Sequence, residues 1–164
     1  MGAKGEHELT EQEAAVLLAA TKDALAKAGS MGGSLGAPFG SLGAERGGAA
    51  GGRFAARFTR PRTSAAVLEV GQDVEVVREG ARRAIAEQGA LIDDPNGAGD
   101  GAVWGVVRSG ALDMVPALVR VAVEPGVGGA RVHLRATGRE GLIKQRIGGK
   151  AVDRIRAAIE GGAP

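Results

Sequence analysis

The side chains best placed to do chemistry in this sequence are cations at alternate positions of strand-like runs. The last of these runs carries Arg131, His133 and Arg135 at every second residue. Alternate residues of a strand point to opposite faces, so these three cations share one face. Arg120 has the equivalent position in the preceding run, and Arg108 lies in the run before that. Together they predict a cationic patch, although a plain polar face of an antiparallel sheet would produce the same pattern.

A second candidate is the segment 138–150, which mixes large aliphatic side chains with cations between the last strand and the last helix. Loops seldom expose several large aliphatic residues without a function. We therefore expect a binding edge for an anionic or amphipathic partner, or else side chains that fold back to close the end of the core. Its candidate binding residues are Arg139, Leu142, Ile143, Lys144 and Arg146.

A cluster of arginines precedes the first strand, in a stretch between Glu45 and Glu69 that contains no acid. Arginines contact phosphates and phenylalanines stack on bases, so this arm is a candidate for binding RNA or another polyanion. The alternative is a linker whose end adds a strand to the domain. The candidate residues of the arm are Arg53, Arg57, Arg60 and Arg62, with Phe54 and Phe58 between them.

Several catalytic and cofactor chemistries are disfavoured by the residues available. The chain has no cysteine and two histidines, which excludes a thiolate centre and a multi-histidine metal site. The Gly-x-Ser-x-Gly match at 32–36 lies in a glycine-rich stretch rather than between a strand and a helix. Segment 97–101 lacks the glycine spacing of a dinucleotide loop, and the acids at 93–100 do not follow the EF-hand spacing. We expect no catalytic residues, no metal, no cofactor and no enzymatic activity.

Periodicity and capping signals predict an α+β fold. Thr10 and Glu13 match a capping box, and the helix that follows is predicted to stop at Gly29. We expect a helical segment at 1–28, a flexible Gly/Arg-rich linker at 29–63, and an α+β domain at 64–161. The domain is predicted to be a single antiparallel sheet of about four strands, in the order β-α-β-β-β-α, with helices on one face. The predicted elements are a strand at 65–70, a helix from Asp73 to Gly89, strands at 103–109, 115–124 and 130–137, and a final helix ending before Gly161.

These features favour a binding or assembly module over an enzyme. The leading hypothesis is that the sheet face and the 138–150 segment bind a protein partner or a second copy of the chain. A nucleic-acid or polyanion binder that uses the arm and the cationic patch is the alternative, and a carrier of an apolar small ligand is a third possibility. No apolar run approaches the length of a membrane helix, so we expect a soluble, cytoplasmic protein.

Overall fold

The computed structural model describes residues 9–35, 60–109, 115–140 and 146–161. Within these ranges the fold is α+β, with one five-stranded antiparallel sheet in the order β1-β5-β4-β3-β2. The predicted fold class is therefore confirmed, with one strand more than expected. The elements are α1 (Glu11–Leu35), β1 (Arg60–Val70), α2 (Val74–Gln88), β2 (Gly89–Ile92), β3 (Val103–Ser109), β4 (Val115–Gly126), β5 (Gly129–Glu140) and α3 (Ile147–Gly161).

The main core lies between the sheet and helices α2 and α3, on the side that we call the inner face. Alternation in the strands places valines, leucines and alanines there, because every second residue points the same way. The packing is close, and most of these side chains are fully buried, which makes apolar burial the main stabilising term. Its largest fully buried members are Val77, Ile85, Val107, Val119, Val121, Val132, Leu134, Ile147 and Ile155.

Helix α1 packs on the opposite side of the sheet, which we call the outer face. It contacts β4 and, to a smaller extent, β5. Its buried Leu17 joins a second, smaller cluster with Trp104 and Leu118. The sheet is thus covered by two helices on one face and partly covered by one helix on the other.

The helix signals identified in the sequence have the expected geometry. The Asp73 side chain accepts a hydrogen bond of 2.8 Å from the backbone N–H of Glu75, and Gly89 follows the last turn of α2. Thr10 and Glu13 form the capping box, with each backbone N–H 3.2 Å from a side-chain oxygen of the other residue. Within the described ranges, none of the helices has the length and apolar character needed to cross a lipid bilayer.

The boundaries of several elements differ from those predicted. Helix α1 continues beyond Gly29 to Leu35, and β1 begins at Arg60 rather than near residue 65. β1 is longer because it pairs along β5 as far as Glu140, so ladder hydrogen bonds extend it through residues without apolar alternation. The unpredicted strand β2 follows α2 directly and is only four residues long, too short for an alternation pattern to be detected.

We expect Gly105→Ala to destabilise the fold by about 1–3 kcal/mol, because a side chain there has no space. A Cβ atom on Gly105 would overlap the Ile85 Cγ2 methyl group and lie 2.8 Å from the carbonyl oxygen of Ala90. The matched control is Gly80→Ala in α2, where a Cβ meets nothing within 4 Å. That control should gain about 0.5–1 kcal/mol of helix propensity. Urea unfolding followed by Trp104 fluorescence measures both, and equal effects would contradict the packing described.

Candidate functional site

The cations predicted to share one face of the sheet lie on its outer face. Arg120 and Arg135 are cross-strand neighbours on β4 and β5. Alternation puts Arg131 and His133 on the same side of β5. The orientation of β3, which the sequence left ambiguous, is set by Val103 and Val107, both buried in the inner core. Trp104 and Arg108 are therefore on the outer face as well.

Trp104 is the centre of the contact between the sheet and α1. Only 3% of its surface is exposed, and it packs with Leu17 of α1 and Leu118 of β4. The guanidinium carbons of Arg120 and Arg135 lie 5.7 and 5.8 Å from the ring centroid, within range of cation–π attraction. Among the described residues the indole Nε1 is buried without a hydrogen-bond partner.

A buried carboxylate ties α1 to this cluster. Glu13 is 1% exposed and forms an ion pair with Arg135. Its Oε1 also accepts a hydrogen bond of 3.1 Å from Asn96 Nδ2, and Asn96 Oδ1 lies 2.6 Å from the Thr10 hydroxyl, which donates to it. The other oxygen, Oε2, accepts the capping-box hydrogen bond from the Thr10 N–H, so both oxygens are hydrogen-bonded, as a buried charge requires.

Arg120, Arg131 and His133 also have acidic partners on the outer face. Arg120 binds Asp100, and this hydrogen bond holds the pKa of the Asp100 carboxyl below its ordinary value of 3.8. Arg131 lies 2.6 Å from Glu69, whose hydrogen bond raises the pKa of the arginine. His133 Nε2 lies 2.9 Å from Glu124. The patch is therefore charge-compensated, and its excess of positive charge is smaller than the sequence pattern indicates.

The remaining candidate residues are spread over the fold. Arg60 and Arg62 are exposed on β1, Arg139 is half-buried near the end of β5, and Arg108 is exposed on β3. Arg146 is exposed and has a φ of 52°, just before α3 begins. Arg53, Arg57, Leu142, Ile143 and Lys144 lie outside the described residues. Of the aliphatic residues in the 138–150 segment, Ile147 closes the end of the inner core.

The register of the β4–β5 hairpin determines which backbone groups of β1 point away from the sheet. Gly126 and Gly129 flank a two-residue turn and pair with each other, so they form the hydrogen-bonded pair that closes such a hairpin. Hydrogen-bonded pairs recur at every second residue. Odd-numbered residues of β5 therefore bond to β4, and even-numbered residues bond to β1. Since even positions of β5 face even positions of β1, the odd-numbered residues of β1 direct N–H and C=O outward.

This outer edge of β1 is long and contains few charges. Among the described residues, no strand pairs with it. Pro61 is one of the outward positions, which agrees with its lack of an N–H. The segment between Arg62 and Glu69 contains no charged residue, and Val67 is 59% exposed. The edge of β2, at the other end of the sheet, has only four residues.

The described residues offer little support for a small-molecule or metal site. An open groove of about 410 Å³ runs between α2 and α3 and includes Val76, Gly80 and Ile159. In the ranges that the structure describes, no three acidic, histidine or cysteine side chains are grouped to hold a metal ion.

Comparison of the chain with protein-family models, curated proteins and solved structures finds no match. The interpretation of the site therefore rests on its own geometry. The pairing of the outer-face cations with acidic partners, namely Glu13, Glu69, Asp100 and Glu124, was not predicted from the sequence. The capping box was the only signal that pointed to Glu13, and it indicated a helix cap rather than a partner for Arg135.

Glu13→Gln is expected to loosen α1 from the sheet. Glutamine preserves the capping box but leaves Arg135 without its buried carboxylate, at a cost of about 2–3 kcal/mol. Urea unfolding and the emission maximum of Trp104 measure the change, with a red shift as the indole becomes hydrated. Glu11→Gln, at an exposed position in the same first turn of α1, is the control and should stay within about 0.5 kcal/mol. Similar behaviour of the two variants would show that Glu13 does not hold the helix.

The Asp100–Arg120 pair should stabilise the fold at neutral pH and stop doing so in acid. The pKa of Asp100 is lowered on folding, so its contribution is present above pH 3.8 and is lost as the pH falls through the lowered value. Because the pair is partly exposed, we expect less than about 1 kcal/mol. Wild type should be more stable than Asp100→Asn at pH 7, and the urea midpoints should converge as the pH falls below 3.8. A difference that persists in acid would contradict this assignment.

Proposed function

We propose that this chain is a non-enzymatic binding and assembly module that recruits an extended polypeptide segment along β1. The observation that carries the proposal is the 11-residue edge strand, whose odd-numbered residues direct their backbone donors and acceptors outward. An incoming strand would bond to these groups and extend the sheet, a common mode of peptide recognition. The proposal includes a cytoplasmic location, which the cysteine-free sequence favours.

Natural sheets usually blunt such an edge, because an open one pairs with other chains. On β1 the features that do so lie near its ends, namely Pro61 with Arg62 at one and Glu69 at the other. The central residues are small or apolar, and Val67 projects from them into solvent. The centre of this edge is therefore open to an incoming strand, whereas the proline and the charges near its ends restrict how that strand can align. This combination favours pairing with a specific partner.

The alternative of a polyanion-binding sheet receives less support from the geometry. Arg120, Arg131 and Arg135 each have a carboxylate partner on the outer face. A phosphate would have to compete with these carboxylates, which lowers the electrostatic gain from contact. An apolar-ligand carrier is also less supported, because the groove between α2 and α3 is open to solvent.

Selection of displayed 12-residue peptides on the full chain tests strand addition. Ala65→Pro removes one outward N–H at a position where an edge strand tolerates proline, whereas Ala65→Ser retains it. We expect selected peptides to bind the proline variant at least about tenfold more weakly, equivalent to ~1.4 kcal/mol, and to bind the serine variant normally. Bound peptide should slow amide exchange at residues 63, 65, 67 and 69.

Circular dichroism and Trp104 emission check that the proline variant keeps its fold. If the selected peptides bind wild type and Ala65→Pro equally, or protect amides outside β1, recognition uses another surface. The proposal would then be wrong.

A further inference from the structure

We propose that the strand recruited by β1 is β1 of a second copy of this chain, arranged about a two-fold axis normal to the sheet. The two five-stranded sheets would then form one continuous antiparallel sheet. This inference rests on the proposed function of β1 as a strand-adding edge, and it names the partner. Two-fold homodimers with a self-complementary interface are the commonest closed assembly.

The distribution of charge along β1 favours antiparallel over parallel pairing of two copies. Arg60 and Arg62 lie at the start of the strand and Glu69 lies near its end, with no charge between. In the antiparallel overlap of the whole strand each charged residue lies opposite an uncharged one, with the arginines on the inner face and Glu69 on the outer face. Parallel pairing would instead bring the arginines of the two copies together, which is repulsive.

The two-fold axis also restricts the register. Such an axis keeps both inner faces on the same side, so a residue can pair only with one that points to the same face. Overlap of the whole of Arg60–Val70 places the axis at Ala65, which is an outward, hydrogen-bonding position. Thr63 then pairs with Val67 of the second copy, and the exposed Val67 side chain becomes covered by its neighbours. The residues at the axis are small enough for close approach.

Helix α3 is compatible with this arrangement. It packs on β1 and β5, and a Cβ atom on Gly149 would lie 3.7 Å from the Ser64 hydroxyl oxygen. Helical spacing puts Arg156 and Glu160 on this same side of α3, where their side chains are paired at 2.9 Å. The α3 helices of the two copies would therefore face each other with charges already paired within each helix. No like charges would repel across the axis.

The oligomeric state of the full chain tests the inference. Light scattering over a concentration series should give a dimer for wild type and for Ala65→Ser. Ala65→Pro should raise the dissociation constant of the dimer at least about tenfold, because the outward N–H at the axis is lost and the proline ring hinders close approach. Trp104 emission confirms that each variant is folded.

Single cysteines report the register directly, because the natural chain has none. In Ala65→Cys the two cysteines form a hydrogen-bonded pair whose Cα atoms are about 5.5 Å apart. Mild oxidation should therefore give a covalent dimer. In Val67→Cys the two thiols lie four residues apart along the paired strands, a distance of about 13 Å, so this variant should not cross-link.

The outcomes separate this inference from the function on which it rests. A monomeric wild type overturns self-pairing but leaves strand addition intact if selected peptides still depend on residue 65. A monomer without such peptides overturns both. A dimer that survives Ala65→Pro unchanged also overturns the inference, because it uses a different surface. So does a covalent dimer that forms in the Val67→Cys variant and not in Ala65→Cys, because it uses a different register.

Discussion

The tight turn between β4 and β5 fixes the register on which the other features of the sheet depend. It has only two residues, and Gly128 adopts a φ of 81° there. The flanking glycines are also constrained, since a Cβ atom on Gly126 would lie 3.0 Å from the backbone nitrogen of Arg131 and one on Gly129 would overlap the Val70 carbonyl oxygen. A slip of one residue would turn every valine of one strand from the inner core to the outer face. The same register decides which backbone groups of β1 face outward.

On the outer face, helix α1 both covers the smaller apolar cluster and supplies an acidic partner for one of the cations. Trp104 and Leu118 must be covered, and α1 covers them through Leu17. Docking the helix there also brings Glu13 to Arg135, so the charge that would otherwise be buried alone is compensated. The same helix thus supplies the apolar burial of this cluster and the carboxylate that pairs with Arg135. A face built this way is suited to packing, whereas the outward backbone groups of β1 pair with no strand in the part of the chain that the structure describes.

Periodicity predicted the elements whose residues alternate or recur strongly, such as β4, β5 and α2. The capping residues Thr10 and Asp73 were found because a cap is a local interaction of the backbone with a nearby side chain. The partners of the cations were not found, because Glu13 and Arg135 are far apart in sequence and meet only through the docking of α1. Nor did the sequence reveal the length of β1, which is set by the length of its neighbour β5.

The unequal edges of the sheet give a reason for an assembly that stops at two copies. The proposed pairing through β1 would consume the long edge of both chains, and the edges left would be the two β2 strands of four residues each. A strand of that length offers few ladder hydrogen bonds, so further strand addition gains little. An open edge is normally a hazard because it propagates. Here the topology places the long edge on one side only, so that the proposed pairing about a two-fold axis would end the growth of the sheet.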